Sequence, residues 1–296
     1  MSTARTQETD LISHIAEPCF RALPEHLRAR AFGVDYARFD EKDGGILYVT
    51  ECGWALREHL IPGHWFREGG YAESGEMLEG ATGAVHRVSS PDFAGRRTDL
   101  VVKVSRFAQH VPIQASPAFP FQIQADAEPG ARFNSPFEEF GHLQALRQAP
   151  AGPRILTKRA LAIYSPPGIF PLWRLGREEW RLRPYQAALE ADQMASGGPA
   201  RVELHSGRKY LTVFGWVKGL TAEQLFLADV LTADDLYDLT LLVARELAEK
   251  GFRVLDNKPK HFVLRPDPRT GKPLQRHGRT VYALIDFELL QPLRRG

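Results

Sequence analysis

The stretch that most constrains this chain is Thr232–Leu264, where a long amphipathic helix, a charged loop and a short apolar strand follow one another without a linker. Leu236, Leu239, Val243 and Leu247 recur at helical spacing and predict one buried face. Thr232, with Asp235 three residues on, predicts the N-terminal cap, and Gly251 predicts the stop. The loop Arg253–Lys260 comes next, and an apolar strand is expected from about His261 to Leu264. Any surface loop can carry Asp, Lys and Pro. A helix directly before and a buried strand directly after instead hold Asp256, Lys258 and His261 at the edge of a core.

A second helix is predicted over Pro136–Ala149. Ser135 suits the N-cap, Pro136 the first helical position, and Glu138 and Glu139 the positive end of the helix dipole. Phe140, Leu143 and Leu146 give it an apolar stripe. Leu100–Ser105 reads as a β-branched central strand with Lys103 in its middle, and a buried ammonium there needs an anionic partner. Strands are expected at Gly45–Thr50, Gly75–Glu79, Ala84–Ser89, Ile155–Tyr164, Tyr210–Val217 and Val281–Ile285. Residues 165–207, rich in Pro, Arg, Trp and Gly, read as an insertion with a helical segment around Glu178–Met194, and Leu11–Leu23 shows a short helical pattern.

Charge and cysteine usage exclude several classes. Lys and Arg number 38 against 36 Asp and Glu, too balanced a set for a nucleic-acid partner. No apolar stretch is long enough to span a bilayer, and the polar first ten residues lack a secretory core, so no membrane partner and a cytoplasmic location are expected. Cys19 and Cys52 form neither a metal spacing nor a disulfide framework. His59 and His64, five apart, fit no zinc motif.

Taken in order, four features resemble the protein kinase superfamily over roughly residues 71–290. Gly80-Ala-Thr-Gly83-Ala-Val85 is similar to part of a glycine-rich phosphate loop, although the same residues fit a simple hairpin turn. Lys103 in Val-Val-Lys-Val resembles the kinase phosphate-binding lysine, with Glu139 as its natural partner and Glu138 one residue out of phase. Asp256-Asn-Lys258-Pro259 resembles the catalytic loop, and Ile285-Asp286-Phe287-Glu288 the metal-binding segment. Phe214-Gly-Trp216-Val217 looks like a strand entering a hinge.

The resemblance implies an α+β, bilobal protein-kinase-like fold, with an antiparallel-sheet N-lobe carrying one helix and a reduced, mostly helical C-lobe. On that footing residues 1–60 form an extension packed on the core, 61–217 the N-lobe and 218–296 the C-lobe. It implies an ATP-dependent phosphotransferase with ATP and Mg²⁺ (or Mn²⁺) bound between the lobes. Asp256 would serve the acceptor hydroxyl and Lys258 the transferring phosphate. Gly80, Gly83, Val85, Lys103, Glu139, Phe214, Trp216 and Val217 would bind the nucleotide, and Asp286 and His261 the metal.

The chain departs from the pattern at four places. Val254-Leu255 replaces the usual His-Arg, and His261 stands where an asparagine is usual. Glu288 replaces a glycine and is expected to add a carboxylate near the metal. Ten residues follow Asp286, which favours a small-molecule or docked-protein acceptor over an extended peptide. A pseudokinase-like module that binds a nucleotide or a partner is the alternative, and a homo-oligomer is open.

Overall fold

The computed structural model describes residues 19–67, 70–71, 75–78, 85–93, 95–111, 131–196 and 202–293. The expected glycine-rich turn at Gly80 and Gly83, and the helical pattern from Leu11 as far as Pro18, lie outside the described residues. The chain divides into two compact units. The first comprises residues 1–105, 159–175 and 182–216, and the second 106–158, 176–181 and 217–296.

The first unit is built on an eight-stranded sheet in which every pairing among the described residues is antiparallel. Its strands are β1 (Arg28–Ala31), β2 (Val34–Asp40), β3 (Ile46–Thr50), β6 (Glu76–Met77), β7 (Val85–Phe93), β8 (Arg96–Val104), β10 (Ala160–Ser165) and β11 (Leu211–Gly215). A small hairpin, β4 (Phe66–Arg67) with β5 (Gly70–Tyr71), lies outside it. The spatial order is β1-β2-β3-β10-β11-β8-β7-β6, so residues 28–50 supply three strands of the sheet itself.

One face of this sheet is the core. Ala37, Phe39, Leu47, Val49, Val88, Leu100, Val102, Ala162, Tyr164, Leu211 and Val213 pack there against Trp54, Leu60 and Trp65. Trp54 belongs to the short helix α1 (Glu51–Trp54), capped by Thr50, whose side chain accepts from Gly53 N. Gly53 must be glycine, because a Cβ would lie 2.1 Å from the Leu161 carbonyl oxygen. On the other face, Ala29 and Ala31 leave room for α3 (Arg183–Ser196) at β1. Asp192 of α3 accepts from Phe32 N (2.7 Å).

The second unit is mixed. Helices α2 (Pro136–Gln148), α4 (Ala222–Leu227) and α5 (Ala233–Glu249) carry capping boxes at Ser135/Glu138, Thr221/Gln224 and Thr232/Asp235, each contributing about 1 kcal/mol. A four-stranded sheet runs β12 (Leu220–Thr221), β14 (Phe262–Leu264), β17 (Tyr282–Leu284), β9 (Leu156–Thr157). β13 (Phe252–Val254) pairs with β18 (Leu290–Pro292), and β15 (Gln275–Arg276) with β16 (Arg279–Thr280). The buried face of α5 holds the four predicted leucine and valine positions together with Thr240 and Glu246. Glu246 accepts from Tyr282 Oη (2.8 Å) and Arg279 Nη2 (2.5 Å), which ties α5 to the strand leading to Asp286.

The molecule is thus a mixed α/β protein with a large antiparallel sheet and few helices. The strand expected at Ile155–Tyr164 is two strands. Leu156–Thr157 joins the second unit in parallel with β17, while Ala160–Ser165 joins the large sheet. The helix expected near Glu178–Met194 starts later, at Arg183. No helix among the described residues is long and apolar enough to cross a membrane.

Candidate functional site

The predicted residues of the second unit come together through sheet register. β14 and β17 are antiparallel, with Phe262 opposite Leu284, so the residues just before Phe262 and just after Leu284 meet at one end of the pair. His261 and Ile285 occupy those positions, Ile285 N donating to His261 O (3.0 Å), and Asp286 is the next residue along the chain. Asp256 and Lys258 reach the same place through the preceding loop. That loop is tightened by a bond from His261 N to Lys258 O (2.9 Å) and tied to α5 by Asn257, whose Nδ2 donates to Thr240 O (3.1 Å).

Charges alternate across the cluster. Lys258 Nζ lies 2.7 Å from Asp256 Oδ1, both side chains being mostly buried. His261 Nδ1 is 3.0 Å from the Asp256 carbonyl oxygen, an acceptor only, so Nδ1 carries the proton. Nε2 lies 3.4 Å from Asp286 Oδ2. With Nδ1 committed to that carbonyl, Nε2 is the ring nitrogen turned toward the Asp286 carboxylate. Lys260, a residue without a role in the sequence reading, borders the cluster. Burial holds its ammonium below the ordinary range, and the charge of Lys258 adds to this. Asp256, Glu223 and Asp286 pull the other way.

The segment after Asp286 is clamped rather than hinged. Glu288 N donates to Asp286 Oδ1 (3.3 Å), and the buried Glu288 carboxylate forms an ion pair with Arg106, whose guanidinium stacks over Phe133 at 4.1 Å. The expected extra carboxylate near the metal position is therefore committed to an arginine. Asn134, 4% exposed, donates through Nδ2 to Phe287 O (3.0 Å) and Leu290 O (2.8 Å), and through its backbone N to Glu288 O (2.7 Å). Sequence reasoning missed Arg106 and Asn134. Their partners lie more than 150 residues away and leave no local pattern.

On α2 the two glutamates have separate fates. Glu138 accepts from Arg132 Nη1 (2.9 Å), Arg132 Nη2 (2.5 Å) and Ser135 N (2.9 Å), so it serves the cap and an ion pair. Burial alone would raise its pKa, but Arg132 and Ser135 outweigh that and hold the carboxyl below its usual range. Glu139 is 2% exposed.

In the first unit, Val85, Lys103 and Phe214 fall on one face of the large sheet, opposite the apolar core. Val85 pairs with Lys103 and Lys103 with Thr212, and residues directly opposite in a pair share a face. Phe214, two residues beyond Thr212, follows on the same side. Lys103 is 6% exposed and Phe214 fully buried. Trp216 N donates to Asp99 O (3.2 Å), and its indole lies under the Arg87 guanidinium at 4.7 Å. Val217 begins the last segment of the second unit.

Among the described residues no group of three or more His, Cys, Asp and Glu side chains is placed to hold a metal. Cys19 and Cys52 are free and exposed. His59 Nδ1 bonds to Ser90 Oγ, and His64 Nδ1 to Glu58 O (3.0 Å).

No protein-family model matches the chain, and no curated protein matches it. Among solved structures it is similar to WaaP in complex with acyl carrier protein, at 15% sequence identity and a TM-score of 0.34. That alignment covers 74% of this chain and 62% of that one, so the chain spans less than two thirds of the protein it matches.

Proposed function

We propose that the chain is a kinase-like phosphotransferase that moves the γ-phosphoryl group of a metal–ATP complex to a hydroxyl acceptor. The observation that carries this reading is the convergence of Asp256, Lys258, His261 and Asp286 at one end of the β14–β17 pair. An aspartate beside a lysine, next to a second aspartate facing a histidine ring nitrogen, has the groups that phosphoryl transfer needs.

The donors fit a divalent cation in a limited way. Asp286 Oδ2 and His261 Nε2, 3.4 Å apart, are spaced to share one ion, and the fixed Nδ1 proton leaves Nε2 as the ligating atom. The chain supplies two ligands there, which suits an ion whose other positions are taken by phosphate oxygens and water. Imidazole is softer than the oxygen ligands Mg²⁺ prefers, so Mn²⁺ suits this pair better. A cation bound there would offset charge developing on the phosphate oxygens.

The remaining roles are carried over from the kinase resemblance of the sequence. Asp256 accepts the proton of the acceptor hydroxyl as its oxygen bonds to phosphorus and the bridge to the β-phosphate breaks. Lys258 offsets the charge of the transferring group. Lys103 and Glu139 serve the phosphates, Glu138 being committed to Arg132. Gly80, Gly83, Val85, Phe214 and the backbone at Trp216 and Val217 serve the rest of the nucleotide.

The test is ATP turnover with Mg²⁺ or Mn²⁺ by the wild type, Asp256→Asn and Asp286→Asn. Each variant is expected to lose at least about a hundredfold in rate. Equal rates in all three would remove the proposal. A second reading, a nucleotide- or partner-binding module without turnover, is favoured by the Asp256–Lys258 ion pair, which engages a carboxylate oxygen of Asp256 within the chain itself. A thermal shift with metal and nucleotide, but no turnover with any hydroxyl acceptor, would select it.

A further inference from the structure

Helix α5 buries one face in the second unit, yet two of its large apolar side chains stay in solvent. Tyr237 is 42% exposed and Leu241 51% exposed. At 100° per residue, Tyr237, Leu241, Ala244 and Ala248 fall within about 60° of one another, to one side of the buried face. Ala248 is exposed and Ala244 half-buried, so these four residues make a continuous surface stripe about three turns long. Its N-terminal half is bulky and its C-terminal half small.

The solvent-side edge of the stripe carries one charge of each sign, Asp238 and Arg245, nearly two turns apart. Both are exposed, and among the described residues neither side chain has a hydrogen bond or an ion pair. The charged contact that α5 does make lies elsewhere. Glu246, which pairs with Arg279 of β16, projects about 140° around the helix from Leu241, so the β15–β16 hairpin leaves the stripe clear.

We infer that the stripe is the seam of a two-fold dimer, in which α5 packs antiparallel on α5 of a second copy of this chain. The register that sets Tyr237 over Ala248 of the other copy also sets Leu241 over its Ala244, bulky against small at every step. A two-fold axis turns like edge to like edge. In this register Arg245 of each copy therefore comes within about 3 Å, measured along the helix axis, of the level of the other's Asp238. The two charges meet twice. A partner of one sign would find one complement and one like charge there, and an anionic bilayer would set Asp234 and Asp238 against lipid phosphates. A second copy carries both signs in the reverse order. One helix pair is a small contact, so the dimer is expected to be weak. The inference stands apart from the phosphotransfer reading, and either can fail alone.

The experiment is sedimentation velocity of the full chain at concentrations from about 10 μM to about 1 mM, the range in which a weak dimer forms. The mean sedimentation coefficient is expected to rise with concentration from the monomer value toward that of a dimer. Leu241→Asp should lower the association constant at least about tenfold, with the thermal unfolding temperature unchanged. Asp238→Arg and Arg245→Asp should each abolish self-association, because each sets like charges against each other across the seam. An equimolar mixture of those two variants should dimerise again, one copy then carrying two cations on that edge and the other two carboxylates. Should Leu241→Asp disturb folding, the mixture decides alone. A monomer across the whole range, a dimer that folded Leu241→Asp leaves intact, or charge variants that associate no better when mixed would each overturn the inference.

Discussion

Asn134 offers the sharpest test of how the Asp286 segment is held. Its Nδ2 donates to Phe287 O and Leu290 O inside the second unit. Neither acceptor is orphaned when the amide goes. Phe287 O also accepts from Leu290 N (3.1 Å), and Leu290 O also bonds to His142 Nδ1 (3.0 Å). Asn134→Ala therefore costs two net hydrogen bonds rather than two desolvated carbonyls, about 1–3 kcal/mol in all. Asn134→Asp keeps the size but turns a carboxylate oxygen toward two carbonyl oxygens in a buried site. That should cost more than about 3 kcal/mol at neutral pH. The excess should shrink as pH falls from neutral, because burial beside carbonyl oxygens favours the protonated, donating Asp, and should be gone below about pH 4, where the unfolded Asp is protonated too. Urea denaturation followed by far-UV circular dichroism measures both. If the aspartate variant matches the alanine variant at pH 7, Asn134 is not acting as a donor to this segment.

Two further perturbations probe the same unit. Glu138 has a depressed pKa, so its contribution is present above its unfolded value of about 4.5 and is lost as pH falls through the lower folded value. Arg132→Ala should lower the melting temperature at pH 7 and flatten or reverse the loss of stability between pH 5 and 3, about the range in which carboxylates titrate; an unchanged pH profile would contradict the assignment. Gly219 has φ +149°, and a Cβ there would lie 2.3 Å from Leu264 O, whereas Gly251 (φ +82°) has open space around it. Gly219→Ala should cost clearly more than the roughly 1 kcal/mol expected for Gly251→Ala in thermal melts, and equal costs would refute the steric account.

What the sequence determined by itself is what depends on residues within a turn or two of each other. The caps at Ser135 and Thr232 lie in it, as do the stop at Gly251, the stripe of α5 and the strands around Lys103 and before Asp286. The candidate cluster was legible for the same reason, since Asp256, Lys258 and His261 sit in six consecutive residues.

The tertiary structure alone decided the partners. β1 and β2, made of short runs such as Arg-Ala-Arg-Ala, become strands because β3 and the rest of the sheet offer them an edge. The apolar run 155–164 splits between two units at Lys158 because its first half pairs with β17 and its second with β3 and β11. Glu288, free in the sequence to serve a metal, is taken by Arg106, 182 residues away. A cap or a helical stripe is fixed by local geometry, whereas strand pairing and the satisfaction of a buried charge depend on which distant groups the fold brings within 3 Å or so.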